Sequence, residues 1–493
     1  MLPDPRSSHG TYAAGPAALI ALSLVPLLAS CAAAGQTHLE ASGVAAADEH
    51  GKAAAPLAPP VATDLAAAHD TVRVRIVAAP TRLELLGGVE TPVWAYNGST
   101  PGPTLELREG QHVVVRFHNR LPEETTVHWH GLRLPVSADG SPFDPIAPGD
   151  SFTYAFTVPQ GSAGTYLYHP HPHHRTAWQV GMGLYGAIVI RAEDDPLAHL
   201  PERLLVLHDT RFRPDGTFDF PPRDSEQGRL DAENGREGDV VLVNGRPLPE
   251  LAIRPGETQR WRVVNASAAR VYRLALPGHT LLHVGSDGGL FERPVEVDDI
   301  VIANTERVEL LVRGTGAPGE RVVLRSLPYD RYMPMWRPAD WDSPLPLAVI
   351  RYRAAPRGQA TPLPATLRPV PPLDEADAIG TRVVRLGQGR IDGRVMDMER
   401  VDGSARLGTT EVWEVRNLVG MDHPFHLHGF PFQVLSRDGQ PVAQRSWKDT
   451  VNVPKHSTVR LIVRFDRHAG LWMYHCHILE HEDDGMMGIL EVR

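Results

Sequence analysis

The chain of 493 residues carries 49 Lys+Arg against 59 Asp+Glu, a net charge of -10, with no basic run. That balance argues against nucleic acid as a partner. With 42% hydrophobic residues, each of the roughly three domains suggested by the length can bury its own core.

The apolar stretch Ala17 to Ala29 is too short to span a bilayer permanently and reads as the core of a signal peptide. It ends in Leu28-Ala29-Ser30-Cys31, which resembles a bacterial lipobox. Residues 1–31 are therefore expected to be a lipoprotein-type signal peptide, cleaved before Cys31 with lipid on its sulfur. An ordinary signal peptide is the alternative. Either one exports the chain to the periplasm or cell envelope, and the lipid anchor would be the only membrane contact. Residues 32–70 are Ala/Pro-rich and predict a flexible tether. With Cys31 lipidated or removed, Cys476 has no disulfide partner. A lone thiol in an oxidising compartment is a liability unless a metal holds it.

The remainder reads as all-β. Runs such as TVRVRIV, HVVVRF, FTYAFTV, DVVLV, RWRVV and TVRLIVRF are separated by Gly, Pro and Asp turns, with almost no amphipathic helix. A longer pattern recurs three times. REGQHVVVRFHN holds Gly110 and Asn119, RPGETQRWRVVN holds Gly256 and Asn265, and RLGTTEVWEVRN holds Gly408 and Asn417. A turn precedes each: Asn97-Gly98, Asn244-Gly245, Asp392-Gly393. A period of about 150 residues is too long for a solenoid but suits three copies of one β-sandwich. The domains are placed at 71–197, 198–355 and 379–493, with a Pro-rich linker at 356–378.

The first and third copies carry matching histidine pairs. HWHG (His128, His130) matches HLHG (His426, His428). GTYLYHPH (His169, His171) matches GLWMYHCH (His475, His477). The middle copy has no such pairs. Alternation along a strand puts both imidazoles of a His-x-His on one face, so the four pairs supply eight imidazoles for a metal cluster between the two copies. By the same parity Cys476 points to the opposite face from His475 and His477. His423, three residues before His426, faces away from His426 and His428. Cys476, His423, His481 and a long axial Met486 then compose His₂Cys plus thioether, the blue-copper electron-transfer set. Zinc accepts Cys and His, but has no use for the methionine or for eight further histidines. His173 and His174 lie beyond the matched frame and are not expected to be ligands.

Through HPHPHHRTAWQVGMGLYGAIVI and HCHILEHEDDGMM, the sequence after residue 70 resembles the bacterial three-domain branch of the multicopper oxidase family, which holds exported laccases and copper efflux oxidases. The resemblance implies three cupredoxin-like Greek-key sandwiches and four copper ions. Type 1 copper would sit on His423, Cys476, His481 and Met486. Type 2 would sit on His128 and His426, and the type 3 pair on His130, His169, His171, His428, His475 and His477. It implies electron transfer from type 1 copper through Cys476 to His475 or His477, and four-electron reduction of dioxygen to water. Protons would come from Glu482, which follows His481, and from Asp139 in SADGSP. The alternative for Asp139 is a turn residue before Gly140.

The reducing substrate is expected to be a phenol or aromatic amine, as in laccases. Cu(I) is the alternative, with Met396, Asp397 and Met398 as its site and the MPM motif (Met333, Met335), near Asp340 and Asp342, beside it. The competing reading of MDM is core packing. A copper-binding resistance protein without turnover and a copper-free structural or division-associated relative are the non-enzymatic alternatives. A monomer is expected.

Overall fold

A computed structural model describes residues 57–66, 69–333, 337–338, 341–354 and 362–493. Cys31, Met335 and Asp340 lie outside these residues, as does the signal segment. Six sheets fall into three pairs along the chain. The first pair has two four-stranded sheets, built between Thr71–Leu86 and Gly186–Arg191. The second has seven and five strands, built between Glu202–Thr210 and Leu345–Tyr352. The third has six and five strands, built between Ala378–Gly387 and Met487–Val492. Each pair encloses its own apolar core. Trp129 and Phe117 anchor the first, Trp261 and Tyr272 the second, Trp413 and Phe425 the third.

The repeated motif has one physical meaning in all three places. Gly110, Gly256 and Gly408 sit at φ +82, +81 and +82, the left-handed turn conformation that glycine adopts without cost. The strands that follow end at Asn119, Asn265 and Asn417, and each pairs in parallel with the first long strand of its own copy. Each asparagine then closes a loop through both ends of its amide. Asn119 Oδ1 accepts from Leu121 N–H, Asn265 Oδ1 from Ser267 N–H and Asn417 Oδ1 from Val419 N–H. Each Nδ2 donates to two or more backbone carbonyls, including Ile146, Ile302 and Val453 respectively. The upstream turns repeat as faithfully. Asn97, Asn244 and Asp392 have positive φ and accept from Val77, Val206 and Arg385 N–H.

Two differences from the sequence expectation stand out. Part of the predicted tether is laid against a sheet: Thr104 donates to Pro60 O and accepts from Ala62 N–H, which covers the edge strand Gly102–Arg108. A nine-residue helix, Glu226–Asn234, has no counterpart in the sequence reading. Its apolar periodicity is weak, and its start is set by a cap, Ser225 Oγ accepting from Gly228 N–H. No helix among the described residues is long and apolar enough to cross a membrane.

Candidate functional site

The four histidine pairs meet where the first and third sandwiches face each other. The short strand His128–His130 lies beside Gly164–His169, so that His128 pairs across from His169. His423–Leu427 lies beside Gly470–Cys476, so that His426 pairs across from His475. All eight imidazoles are 2% exposed or less. They stack across the interface, His128 on His428 with centroids 4.1 Å apart and His130 on His426 at 3.9 Å. Three triads could each hold an ion, with donor atoms within 4.8 Å of one another: His128, His130 and His426; His130, His169 and His477; His171, His428 and His475.

Hydrogen bonds orient the rings. His128 Nδ1 bonds Asp139 O at 2.8 Å, and His426 Nδ1 bonds Asp449 O at 2.8 Å. His169 Nδ1 bonds Pro170 O at 2.8 Å, and His475 Nδ1 bonds Cys476 O at 3.0 Å. His428 Nδ1 meets Asp139 Oδ2 at 2.9 Å. These rings therefore offer Nε2 to the centre. His130 is inverted: its Nε2 meets Asp449 Oδ1 at 3.0 Å and Thr450 Oγ1 at 3.1 Å, while its Nδ1 lies 3.4 Å from His169 Nε2. The Nε2 atoms of His128, His426 and His477 are buried without a hydrogen-bond partner. Buried polar atoms rarely stay unpaired, so bare lone pairs inside these donor triads fit metal ions. Burial, followed in most of the eight by the repulsion that a second protonated imidazole of the nest would meet, pushes the imidazoles below their ordinary value, His169 to about 4 and His428 to about 3. They are neutral, as ligands must be.

Cys476 faces the other way. Its Sγ lies 3.3 Å from His423 Nδ1 and 3.7 Å from His481 Nδ1, and the three form a separate triad. His481 is held by Glu233 O at 3.0 Å. Met486 is fully buried in the same core cluster as Cys476, and its carbonyl accepts from Cys476 N–H at 3.1 Å. Burial pushes the Cys476 thiol up to about 12, so the thiolate needs a cation to form. Beside this triad opens a cavity of about 160 Å³, lined by His423, His481, Met333, Met421, Glu233 and Asp484 among others.

Both candidate proton donors reach the histidines. Glu482 is 1% exposed and lies 3.5 Å from His171 Nδ1 and 3.4 Å from His475 Nδ1. Burial and then Asp483 raise it well above its ordinary value. Asp139 ends the one-turn helix Val136–Asp139 before left-handed Gly140, and it also touches His128 and His428. Burial raises it as well. Its turn position and its contact with the site are thus both real. His173 and His174 stack on each other outside the nest, where His174 Nδ1 bonds the Asp483 carbonyl. Met396 packs with Met473, Met487 and Ile489, with Met398 against them, and Asp397 pairs with Arg400 at 3.8 Å. The packing reading of MDM therefore accounts for where those methionines go.

Sequence reasoning missed Asp449, Met421 and Arg307. Asp449 is the counterpart of Asp139 across the interface, but it lies 23 residues after His426, against 11 for Asp139 after His128, so the two frames do not align. Met421 lies two residues before His423 and belongs to no motif of the sequence. Gly131 explains the glycine of HWHG. It has φ +85, and a Cβ there would lie 2.3 Å from Asp449 Oδ2 and 2.9 Å from Arg307 Nη2. Gly131→Ala is expected to cost about 1–3 kcal/mol and to leave copper loading incomplete. Thermal melting and copper content check this; wild-type values for both would mean that the loop yields freely.

Multicopper oxidase family profiles match residues 78–195, 220–355 and 371–493. Multicopper oxidase mco of Staphylococcus haemolyticus is 34% identical over 80% of this chain and 83% of that protein. A laccase of Bacillus stratosphericus is 28% identical over 82% and 91%. The solved multicopper oxidase from Campylobacter jejuni, described as a metallo-oxidase, superposes with TM-score 0.81 at 35% identity over 88% of this chain and 94% of that one. Copper donors, a cupredoxin-like all-β fold and three matched segments agree: the chain belongs to the multicopper oxidase family, enzymes that couple oxidation of a reducing substrate to dioxygen.

Proposed function

We propose that the chain is an exported laccase-like oxidase. It would take electrons singly from a phenol or aromatic amine at the Cys476 side and pass them to dioxygen in the histidine nest. The observation that carries this reading is that Cys476 belongs to one donor triad while its chain neighbours His475 and His477 belong to the other set. An electron delivered at the thiolate then has only a few covalent bonds to cross. The domain boundaries stay at 71–197, 198–355 and 379–493, and the exported lipoprotein reading rests on the N-terminal sequence alone.

Four copper ions would supply one-electron redox chemistry on one side and dioxygen reduction on the other. His423, Cys476, His481 and Met486 would hold type 1. His128 and His426, with unpartnered Nε2 atoms, would hold type 2. His130, His169 and His477 would hold one type 3 ion, and His171, His428 and His475 the other. The cavity of about 160 Å³ beside His423 and His481 is where such a reductant would approach the donor triad. Glu482, between His171 and His475, holds a proton because burial and Asp483 disfavour its charge. Beside His128 and His428, burial raises Asp139 in the same direction. Both would release protons toward the reduced oxygen, and Asp483, pushed up to about 8 by burial, stands behind Glu482.

Glu482→Gln is expected to lower turnover ~10²–10⁴-fold, the usual worth of a positioned acid, and Asp139→Asn less, with the blue band of each variant unchanged. Steady-state oxygen uptake and an absorption spectrum decide it. Turnover within tenfold of wild type in both variants would remove them from proton supply.

A second reading, cuprous oxidation, is favoured by Met333 and Met421 on the cavity wall with Glu233 and Asp484. Oxygen uptake on dimethoxyphenol, with and without excess Cu(II), separates the two. A laccase turns over without added copper. A cuprous oxidase is strongly copper-stimulated and consumes oxygen with Cu(I) alone. No uptake with either reductant would sink the enzymatic reading.

A further inference from the structure

The middle sandwich carries no histidine pair, yet it reaches the nest through residues 304–307. Asn304 Nδ2 donates to the His477 carbonyl. Arg307 is fully buried, and every arm of its guanidinium is used. Nε donates to Thr165 O at 2.9 Å and Nη1 to Thr305 O at 2.9 Å. Nη2 donates to Asp287 O at 3.2 Å. The fork closes on Asp449, Nη1 to Oδ1 at 2.8 Å and Nη2 to Oδ2 at 2.5 Å. The same Oδ1 lies 3.0 Å from His130 Nε2.

The proton positions follow from donor counting. A carboxylate gripped by a guanidinium accepts only. Thr450 Oγ1 lies 3.0 Å from Asp449 Oδ1 and gives its one proton there, so toward His130 it also accepts. Both neighbours of His130 Nε2 are acceptors, and that nitrogen must carry the hydrogen. Nδ1 is left bare beside His169. Across the pseudo-symmetric interface Asp139 has no Lys or Arg partner among the described residues, and there His428 turns its Nδ1, not its Nε2, to the carboxylate. Of two equivalent aspartates, the one with the arginine is the one with the inverted histidine.

We infer that Arg307 is a positioning residue for the dioxygen-reducing centre: through Asp449 it fixes His130 as the Nε2–H tautomer and aims Nδ1 at the ion shared with His169 and His477. The inference rests on the copper assignment above. The competing role is mechanical, since Arg307, in the second sandwich, also ties in the first through the Thr165 carbonyl and the third through Asp449.

Three measurements test it on the copper-reconstituted full chain. In Arg307→Met, affinity for the coupled pair is expected to fall about 10–100-fold, as for other partners that orient ligands. Total copper falls and the fraction visible by electron paramagnetic resonance rises, while the blue band stays. Arg307→Lys, which keeps the charge but loses the fork, lies between. A folded Arg307→Met with wild-type copper count and wild-type resonance overturns the inference. Should that variant not fold, histidine-selective ¹⁵N spectra of copper-free wild type decide: a proton on His130 Nε2 supports the inference and one on Nδ1 overturns it. Wild-type protein that itself shows no coupled copper would instead fail the assignment beneath it.

Discussion

Cys476→Ser is expected to erase the blue colour and to lower oxidation by at least the ~100-fold that loss of a mere orienting partner can cost. The thiol is fully buried, with its sulfur facing His423 Nδ1 and His481 Nδ1. Serine places a shorter, harder oxygen there, and its hydroxyl can donate to one imidazole and stay uncharged. A soft thiolate is what selects copper and makes the intense visible band. The variant should still fold, because one buried Sγ→Oγ change in a core that retains Phe425, Ile478 and Met486 is a small packing loss. His475 and His477 keep their own bonds to the Cys476 carbonyl and to Asn304, so copper in the nest should survive. The expected sample is therefore colourless, retains most of its copper, and consumes almost no oxygen with a reductant. Turnover within tenfold of wild type would mean that electrons enter by another door.

Much of this was legible because it is local. Period-two alternation sorts Cys476 from His475 and His477 without any knowledge of the fold, and the Gly–Asn repeat marks the same loop three times because one side chain closes it three times. What was illegible depends on topology. Asp449 and Arg307 lie 142 residues apart and meet only when the third sandwich closes on the second. No spacing rule reaches across that distance. The MDM motif left two readings open in sequence, a soft-metal site and core packing. Met396 and Met398 pack with Met473, Met487 and Ile489, which spacing alone does not reveal. Met421, in no motif, lines the cavity instead because it sits on the segment that delivers His423. Helix Glu226–Asn234 escaped because a cap starts it and tertiary contact holds it. Glu233 O then anchors His481 from that helix.

Copper-free protein is expected to lose stability steeply as pH falls from about 6.5 toward about 4, and the reason is the ligand set itself. A histidine of the unfolded chain takes a proton near pH 6.5. In the fold, burial holds His169 and His481 down to about 4 and His428 to about 3, and it lowers His128, His130, His171, His423, His426, His475 and His477 well below 6.5. Between those values the unfolded state binds more protons than the native one. The stabilisation is complete above 6.5 and drains away as pH falls through the native values. At pH 5 a histidine held near 4 costs about 2 kcal/mol, and a handful of them rivals the ~5–15 kcal/mol of an ordinary native state. Four buried carboxyls push the other way, since Asp139, Glu480, Glu482 and Asp483 are raised and gain stability on acidification. Ten imidazoles outweigh four carboxyls, so the net slope keeps its sign. Bound copper demands the same neutral rings, so loaded protein should melt higher near pH 7 and shed metal over the same acid window. Melting curves of both forms at fixed ionic strength, from about pH 7.5 down to about pH 4.5, carry the comparison. A copper-free chain whose Tm is flat or rising as pH drops through that window would show that these imidazoles are not held neutral in the fold, and the buried nest would then be drawn wrongly.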